Sequence, residues 1–289
     1  MHYLLILFTT VLFSFSNIFS SLYQKNEGDS LNKALKRALI GAIFSIIMLV
    51  FMGIGNLSFS LFSFIIALFA AVDSIVCTVM TIKVLAIANL TVYSLYLMIG
   101  GMLLPFVFSI AFYDEVFTIK KMICVFMLVL ALLVTNPINK KLDKKNKKAI
   151  IFYIGIFISN GMFGVLSKIH QSGKSAVSAD SYTFMQKIIV LFIATVMILY
   201  FLYRKENIKL DYPIKSIGFI AGGEILNTIA NLILLYALIY VDASVQYPLV
   251  TGGVIVVSVI MDFITGKKPT KRAIVSVIIA CIGVSLLLV

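Results

Sequence analysis

The sequence predicts an all-α polytopic membrane protein, with ten transmembrane helices arranged as two inverted five-helix repeats around a central cavity. Three observations carry that expectation. Of 289 residues, 61% are hydrophobic and 12% charged, with a mean hydropathy of +1.09. That leaves too little polar surface to coat a water-soluble globule. Ten apolar runs come close to the roughly 20 residues that cross a bilayer's hydrocarbon. Finally, short patterns recur in the same order in the two halves of the chain.

The runs lie at 3–24, 36–54, 60–88, 91–113, 119–135, 149–170, 182–203, 215–240, 243–265 and 271–289. The first carries no Lys or Arg from Met1 to Ser21 and no small-residue cleavage site. It therefore reads as a membrane helix and not a secretion signal. Cys77, Cys124 and Cys281 fall inside apolar runs without pairing or metal-ligand spacing, so packing is their expected role.

The net charge of +12 could suggest nucleic acid, but its placement points to a membrane. The odd-numbered loops hold Lys25, Lys33, Lys36 and Arg37; Lys140, Lys141, Lys144, Lys145, Lys147 and Lys148; Arg204, Lys205, Lys209 and Lys215; and Lys267, Lys268, Lys271 and Arg272. The even-numbered face holds only Lys120, Lys121, Lys168, Lys174 and Lys187. By the positive-inside rule the odd loops are cytoplasmic, and ten spans then put both termini outside the cytoplasmic membrane. Lys83, Lys168 and Lys187 are expected to snorkel from helix ends. The run "KKLDKKNKK" (140–148) reads as a topology anchor that could also touch anionic lipid headgroups.

"SNIFSSLYQK" (16–25) and "SNGMFGVLSK" (159–168) share Ser-Asn followed at the same distance by Lys. Gly100-Gly101 precedes Thr118 and Lys120 as Gly252-Gly253 precedes Thr270 and Arg272. The chain thus divides into a first repeat (1–135), a lysine-rich linker (136–148) and a second repeat (149–289). Five spans per copy insert the second copy upside down, an arrangement that secondary transporters use with their site near mid-membrane.

On these motifs the whole chain resembles the drug/metabolite transporter superfamily, in its ten-helix EamA-like branch. The resemblance rests on "IKVLAIANLTVYSLYLMIGGMLLPFVFSIAFYDEVFT" (82–118) and "YALIYVDASVQYPLVTGGVIVVSVIMDFITGKKPT" (236–270). The family's Gly-Glu-x-x-Thr is met by Glu115 and Thr118 in the first copy. In the second, Thr270 remains but Lys267 stands where the acid is expected. The resemblance implies a central cavity lined mainly by helices three, four, eight and nine, with five and ten peripheral. Two departures stand out. Family members usually keep both termini in the cytoplasm, opposite to the charge pattern here. Helices one and six contain no acid, so the proton coupling of the small four-helix relatives, through a first-helix glutamate, does not carry over.

Candidate substrate-binding or coupling residues follow from polarity inside apolar runs. In "FIAGGEILNTIANLILLYAL" (219–238), Glu224, Asn227 and Asn231 recur at helical spacing as one polar stripe. Asp73 occupies the equivalent helix of the first half, with Cys77 and Thr81 on its face. Charged groups in a bilayer usually face a cavity or a partner. Asn17 and Asn160 are the repeat-related pair, read either as interhelical hydrogen bonding or as cavity lining. Tyr93 and Tyr247 open helices four and nine, at interface depth or facing an organic substrate. Pro105 and Pro248 are expected to kink their helices.

His2 and His170 do not look like metal ligands, and no metal or other cofactor is expected. No phosphate-binding loop, nucleophile elbow or zinc motif occurs. The expected partners are a small-molecule substrate, membrane lipids and a coupling ion of unspecified identity, with no nucleic acid. The functional expectation is a secondary transporter of small organic metabolites working by alternating access, not an enzyme. Its rivals are a multidrug exporter and a lipid-handling flippase or membrane enzyme.

Overall fold

The computed structural model describes residues 2–52, 57–87, 90–135, 147–204, 213–264 and 270–288. They form ten α-helices: α1 (His2–Glu27), α2 (Leu31–Phe51), α3 (Leu61–Ile87), α4 (Leu90–Phe112), α5 (Ile119–Thr135), α6 (Lys147–Ser172), α7 (Ala179–Tyr203), α8 (Ile214–Ala237), α9 (Ala243–Ile264) and α10 (Lys271–Leu288). Apart from its last two residues, which begin α6, the expected linker 136–148 lies outside the described residues, as do Lys205, Lys209, Lys267 and Lys268.

Each apolar run of the sequence became a helix, with local chemistry moving the ends. α2 starts at Leu31 because Ser30 caps it, its hydroxyl accepting from the Lys33 N–H at 3.4 Å. α1 runs on to Glu27, so the first helix does carry an acid, contrary to the sequence reading. It sits at the helix end, bonded to Lys33 and to the Ser216 hydroxyl.

Eight helices, α1–α4 and α6–α9, are long and apolar enough to cross a membrane. α5 with 17 residues and α10 with 18 are the shortest and are not among those eight. At 1.5 Å per residue they reach only about 26–27 Å, just under a ~30 Å hydrocarbon core. Phe69, Phe126 and Phe192 point outward and exposed, as lipid-facing side chains do.

α1 packs on α8 and α9, while α6 packs on α3 and α4. α2 meets α7, α4 meets α9, and α5 meets α10. Glycines permit the closest of these crossings. A Cβ at Gly100 would strike the Phe157 backbone, and one at Gly161 would lie 2.7 Å from the Gly100 carbonyl oxygen. α4 and α6 therefore touch backbone to backbone, as small residues allow in membranes. On α9, Gly253 instead leaves room for a side chain of α1, with Thr10 Cγ2 2.5 Å from where a Gly253 Cβ would be.

Candidate functional site

α1–α4 and α6–α9 together enclose a cavity of 220 Å³; among the described residues none of α5 or α10 lines it. The peripheral placing of α5 and α10 agrees with what the family resemblance implied. The lining is broader than implied, because α1, α2, α6 and α7 supply nearly as much of the wall as α3, α4, α8 and α9. The cause is the packing: α1 wedges against α8 and α9, and α6 against α3 and α4.

All eight residues singled out from the sequence line this one cavity: Asn17, Asp73, Tyr93, Asn160, Glu224, Asn227, Asn231 and Tyr247. Glu224 is brought there by glycines on both sides of it. Gly222 and Gly223 let α8 settle on Phe19 of α1, whose atoms would lie 3.1 and 3.2 Å from added Cβ atoms. Gly41 of α2 makes room for the Glu224 side chain itself, since a Cβ there would be 2.6 Å from the Glu224 Cγ.

Glu224 stands between two cations. Arg37 Nη2 lies 3.5 Å from one carboxylate oxygen and Lys187 Nζ 3.5 Å from the other. Both cations line the cavity, and the side chains of Arg37, Lys187 and Glu224 are all largely buried. This corrects the sequence reading of Arg37 as a loop charge and of Lys187 as a snorkelling lysine. The available signal was spacing. Arg37, Gly41 and Ser45 recur every four residues on α2, and Ser45 exchanges a 2.9 Å hydrogen bond with Thr228 on the polar stripe of α8.

The remaining polar groups differ in what they have left to offer. Asn160 donates to the Leu97 carbonyl at 2.7 Å, and Tyr247 donates to the Gly164 carbonyl at 3.1 Å. Asn231 donates to the Asn227 carbonyl one turn earlier at 2.8 Å. These side chains tie helices or turns together while lining the cavity. Tyr93 is buried against Thr81, so neither tyrosine sits at a lipid interface. Asp73 faces Ser159 of α6 across the cavity wall, and its Oδ2 is buried without a partner among the described residues. Arg37 gives Nη2 to the Ser20 hydroxyl at 2.8 Å, and its Nη1 is likewise buried and unpartnered. Cys77, expected to be a packing residue, lines the cavity within electrostatic reach of Asp73, Arg37 and Glu224.

A second polar cluster closes the even-numbered end of the bundle. Asp114 takes φ 51°, the left-handed turn that short polar residues tolerate, at the place where the resembled motif has glycine. That turn aims Glu115 at the start of α9, where its two oxygens accept the N–H groups of Ala243 (3.0 Å) and Ser244 (2.9 Å). Lys168 Nζ pairs with the same carboxylate at 2.7 Å, and so is no snorkelling lysine either. Burial pushes the Glu115 carboxyl upward, but the hydrogen bonds and the Lys168 charge outweigh it and hold the group below the ordinary carboxylate range. Thr118 and Thr270 cap α5 and α10, each hydroxyl accepting an N–H at 3.2 Å. At the opposite end Lys83 reaches Asp29 at 3.4 Å, a helix-end position. His170 is buried in α6, bonded to Ser63 at 3.0 Å and stacked on Tyr182. Among the described residues no three His, Cys, Asp or Glu side chains gather as a metal site.

Fold and cavity together define a helical bundle of multi-pass membrane type. No family model and no curated protein matches the sequence. A solved structure titled "Crystal structure of protein" is similar in fold, with a TM-score of 0.71 at 14% identity over 98% of this chain and 94% of that one.

Proposed function

We propose that this protein is a secondary transporter that carries small organic metabolites across the cytoplasmic membrane by alternating access, in the manner of the drug/metabolite transporters it resembles. The observation that carries the reading is the central polar cavity, walled by eight helices and holding four charged side chains within an apolar bundle. Charged groups at that depth are costly, and their usual place is a substrate or ion pathway. A cavity of 220 Å³ is smaller than the roughly 300–1,000 Å³ of drug-sized sites, which favours small metabolites over bulky drugs.

Two inverted repeats, 1–135 and 149–289, are part of the proposal. Its support is that the main helix partnerships survive exchange of each helix for the one five places on. α1 on α8 becomes α6 on α3, α4 on α6 becomes α9 on α1, and α2–α7, α4–α9 and α5–α10 map onto themselves. The matched capping threonines Thr118 and Thr270 agree with it. Ten spans, cytoplasmic odd loops and external termini complete the reading, and labelling of a cysteine at position 144 from each side of the membrane tests that orientation.

The functional test is untargeted metabolite exchange in proteoliposomes, using a variant with Cys124→Ser and Cys281→Ser so that Cys77 is the one remaining thiol. A metabolite should cross saturably with protein and not in empty vesicles. A bulky maleimide on Cys77 should stop that flux. Flux that continues at full rate after complete labelling would remove the cavity from the transport path.

A further inference from the structure

We infer that the cavity takes small organic anions, and that Glu224 occupies the anion's place between Arg37 and Lys187 until a substrate carboxylate or phosphate displaces it. This rests on the transport reading for its purpose, but the binding it describes is measurable without transport.

Three observations converge on it. First, two cations share one counter-ion. Among the described residues, Arg37 and Lys187 have no acidic partner within 4.0 Å other than Glu224, and Asp73 pairs with neither. Second, the sharing is loose. Both contacts are 3.5 Å, whereas charge-assisted hydrogen bonds of this kind settle near 2.7–2.9 Å. One carboxylate shared between α2 and α7 closes on neither cation. Third, Arg37 keeps an unpartnered donor, Nη1, buried beside the cavity. A buried donor without an acceptor is costly, and a guanidinium fork is built to take a planar or tetrahedral oxyanion through two donors.

An incoming oxyanion would have both cations and the unpartnered Arg37 Nη1 close by. The Ser20 hydroxyl, which donates to the Ser16 carbonyl at 3.0 Å, accepts from Arg37 Nη2 at 2.8 Å and so fixes the guanidinium on the cavity wall. Displaced Glu224 has somewhere to go along its own stripe, beside Asn227 and Thr228. Arg37 belongs to the first half of the chain, and Lys187 and Glu224 to the second. Exchanging an internal carboxylate for an external one would therefore change what holds the halves together. No bond is made or broken covalently in this exchange.

The test measures protection of Cys77 from maleimide in detergent-solubilised protein carrying Cys124→Ser and Cys281→Ser. The probes are potassium succinate, inorganic phosphate, and glycine betaine, with potassium chloride at matched ionic strength as control. Protection by succinate alone assigns a carboxylate substrate, by phosphate alone a phosphorylated one, and by both the oxyanion chemistry they share. Arg37→Gln and Lys187→Gln should each raise the half-protecting concentration about tenfold or more, as expected for losing a charged hydrogen bond. Glu224→Gln should lower it by a similar factor, because the internal competitor is gone. This last sign is opposite to that of any site in which Glu224 binds the substrate. Arg37→Lys keeps the charge in case Arg37→Gln folds poorly, and should weaken protection less. No protection by either anion, equal protection by betaine, or weakening by Glu224→Gln overturns the proposal. Anion protection without any metabolite flux would leave the anion site standing and sink the transport reading instead.

Discussion

Glu115 and Glu224 are both glutamates that ion-pair with lysine inside the same helical bundle, yet their surroundings are opposite. Glu115 has a 2.7 Å contact to one lysine and two backbone N–H donors at 2.9–3.0 Å. Glu224 has two cations, both at 3.5 Å, and a cavity in front of it. A carboxylate that takes three donors at short range holds helices in place. One suspended between two charges at long range is held cheaply and released cheaply. In a low-dielectric bundle the number and closeness of partners, not the presence of charge, separates a brace from a candidate site.

The strongest way to break that comparison is to remove the brace. Glu115→Ala would leave Lys168 buried without its partner and the first N–H groups of α9 uncapped. We predict a loss of about 3–5 kcal/mol in stability, the usual cost of stranding one member of a buried pair. Glu224→Ala, by contrast, should cost less, because its ion pairs are long, 3.5 Å against 2.7 Å for Glu115, and no backbone N–H depends on it among the described residues. Unfolding of both variants in the same detergent would decide it, and an equal loss would erase the distinction.

Acid offers a gentler probe of the same brace. The Glu115 carboxyl titrates below its ordinary value of 4.5 in the folded chain, so the unfolded state takes up the proton first as pH falls. The stability that Glu115 contributes is therefore complete above that value and disappears as pH drops through the folded one. Thermal unfolding of the parent and of Glu115→Gln should differ at neutral pH and converge in acid. Parallel curves across the range would mean that Glu115 carries no linked proton.

Much of this was legible in the sequence. Each of the ten apolar runs is a helix, and all eight polar residues singled out within or at the start of those runs line one cavity. Those residues stood out because a Glu or Asn in an apolar run has few other places to go. Arg37 and Lys187 were missed for the converse reason. Arg37 lies near a helix end rich in other lysines and Lys187 about two turns into α7, where a long cationic side chain has an ordinary explanation in reaching the membrane surface. Only the packing of α2 and α7 onto α8 turns them inward, and that is a tertiary fact. Lys168 was misread in the same way, since its partner Glu115 is fifty-three residues away in the chain and meets it through a turn at Asp114. Which polar groups line the cavity and also brace helices, as Asn160 and Tyr247 do, depends on carbonyls brought near by glycine contacts that no spacing rule reports.

The smallest expected effect belongs to Tyr247, which stands between the two kinds of residue. Its ring lines the cavity, but its hydroxyl donates to the Gly164 carbonyl of α6 at 3.1 Å. That hydrogen bond joins α9 to α6, and single interhelical bonds in membranes average about 0.6 kcal/mol. Tyr247→Phe removes the bond while keeping the ring's volume against Gly164, whose added Cβ would lie 3.0 Å from the tyrosine Cζ. The prediction is a stability loss of roughly 0.6 kcal/mol, with Cys77 protection by anions unchanged. A brace can be deleted without touching the site if the two roles are separable in one side chain. Should Tyr247→Phe instead alter anion protection severalfold with no change in stability, the hydroxyl serves the ligand, and the division between brace and site drawn from Glu115 and Glu224 fails at this residue.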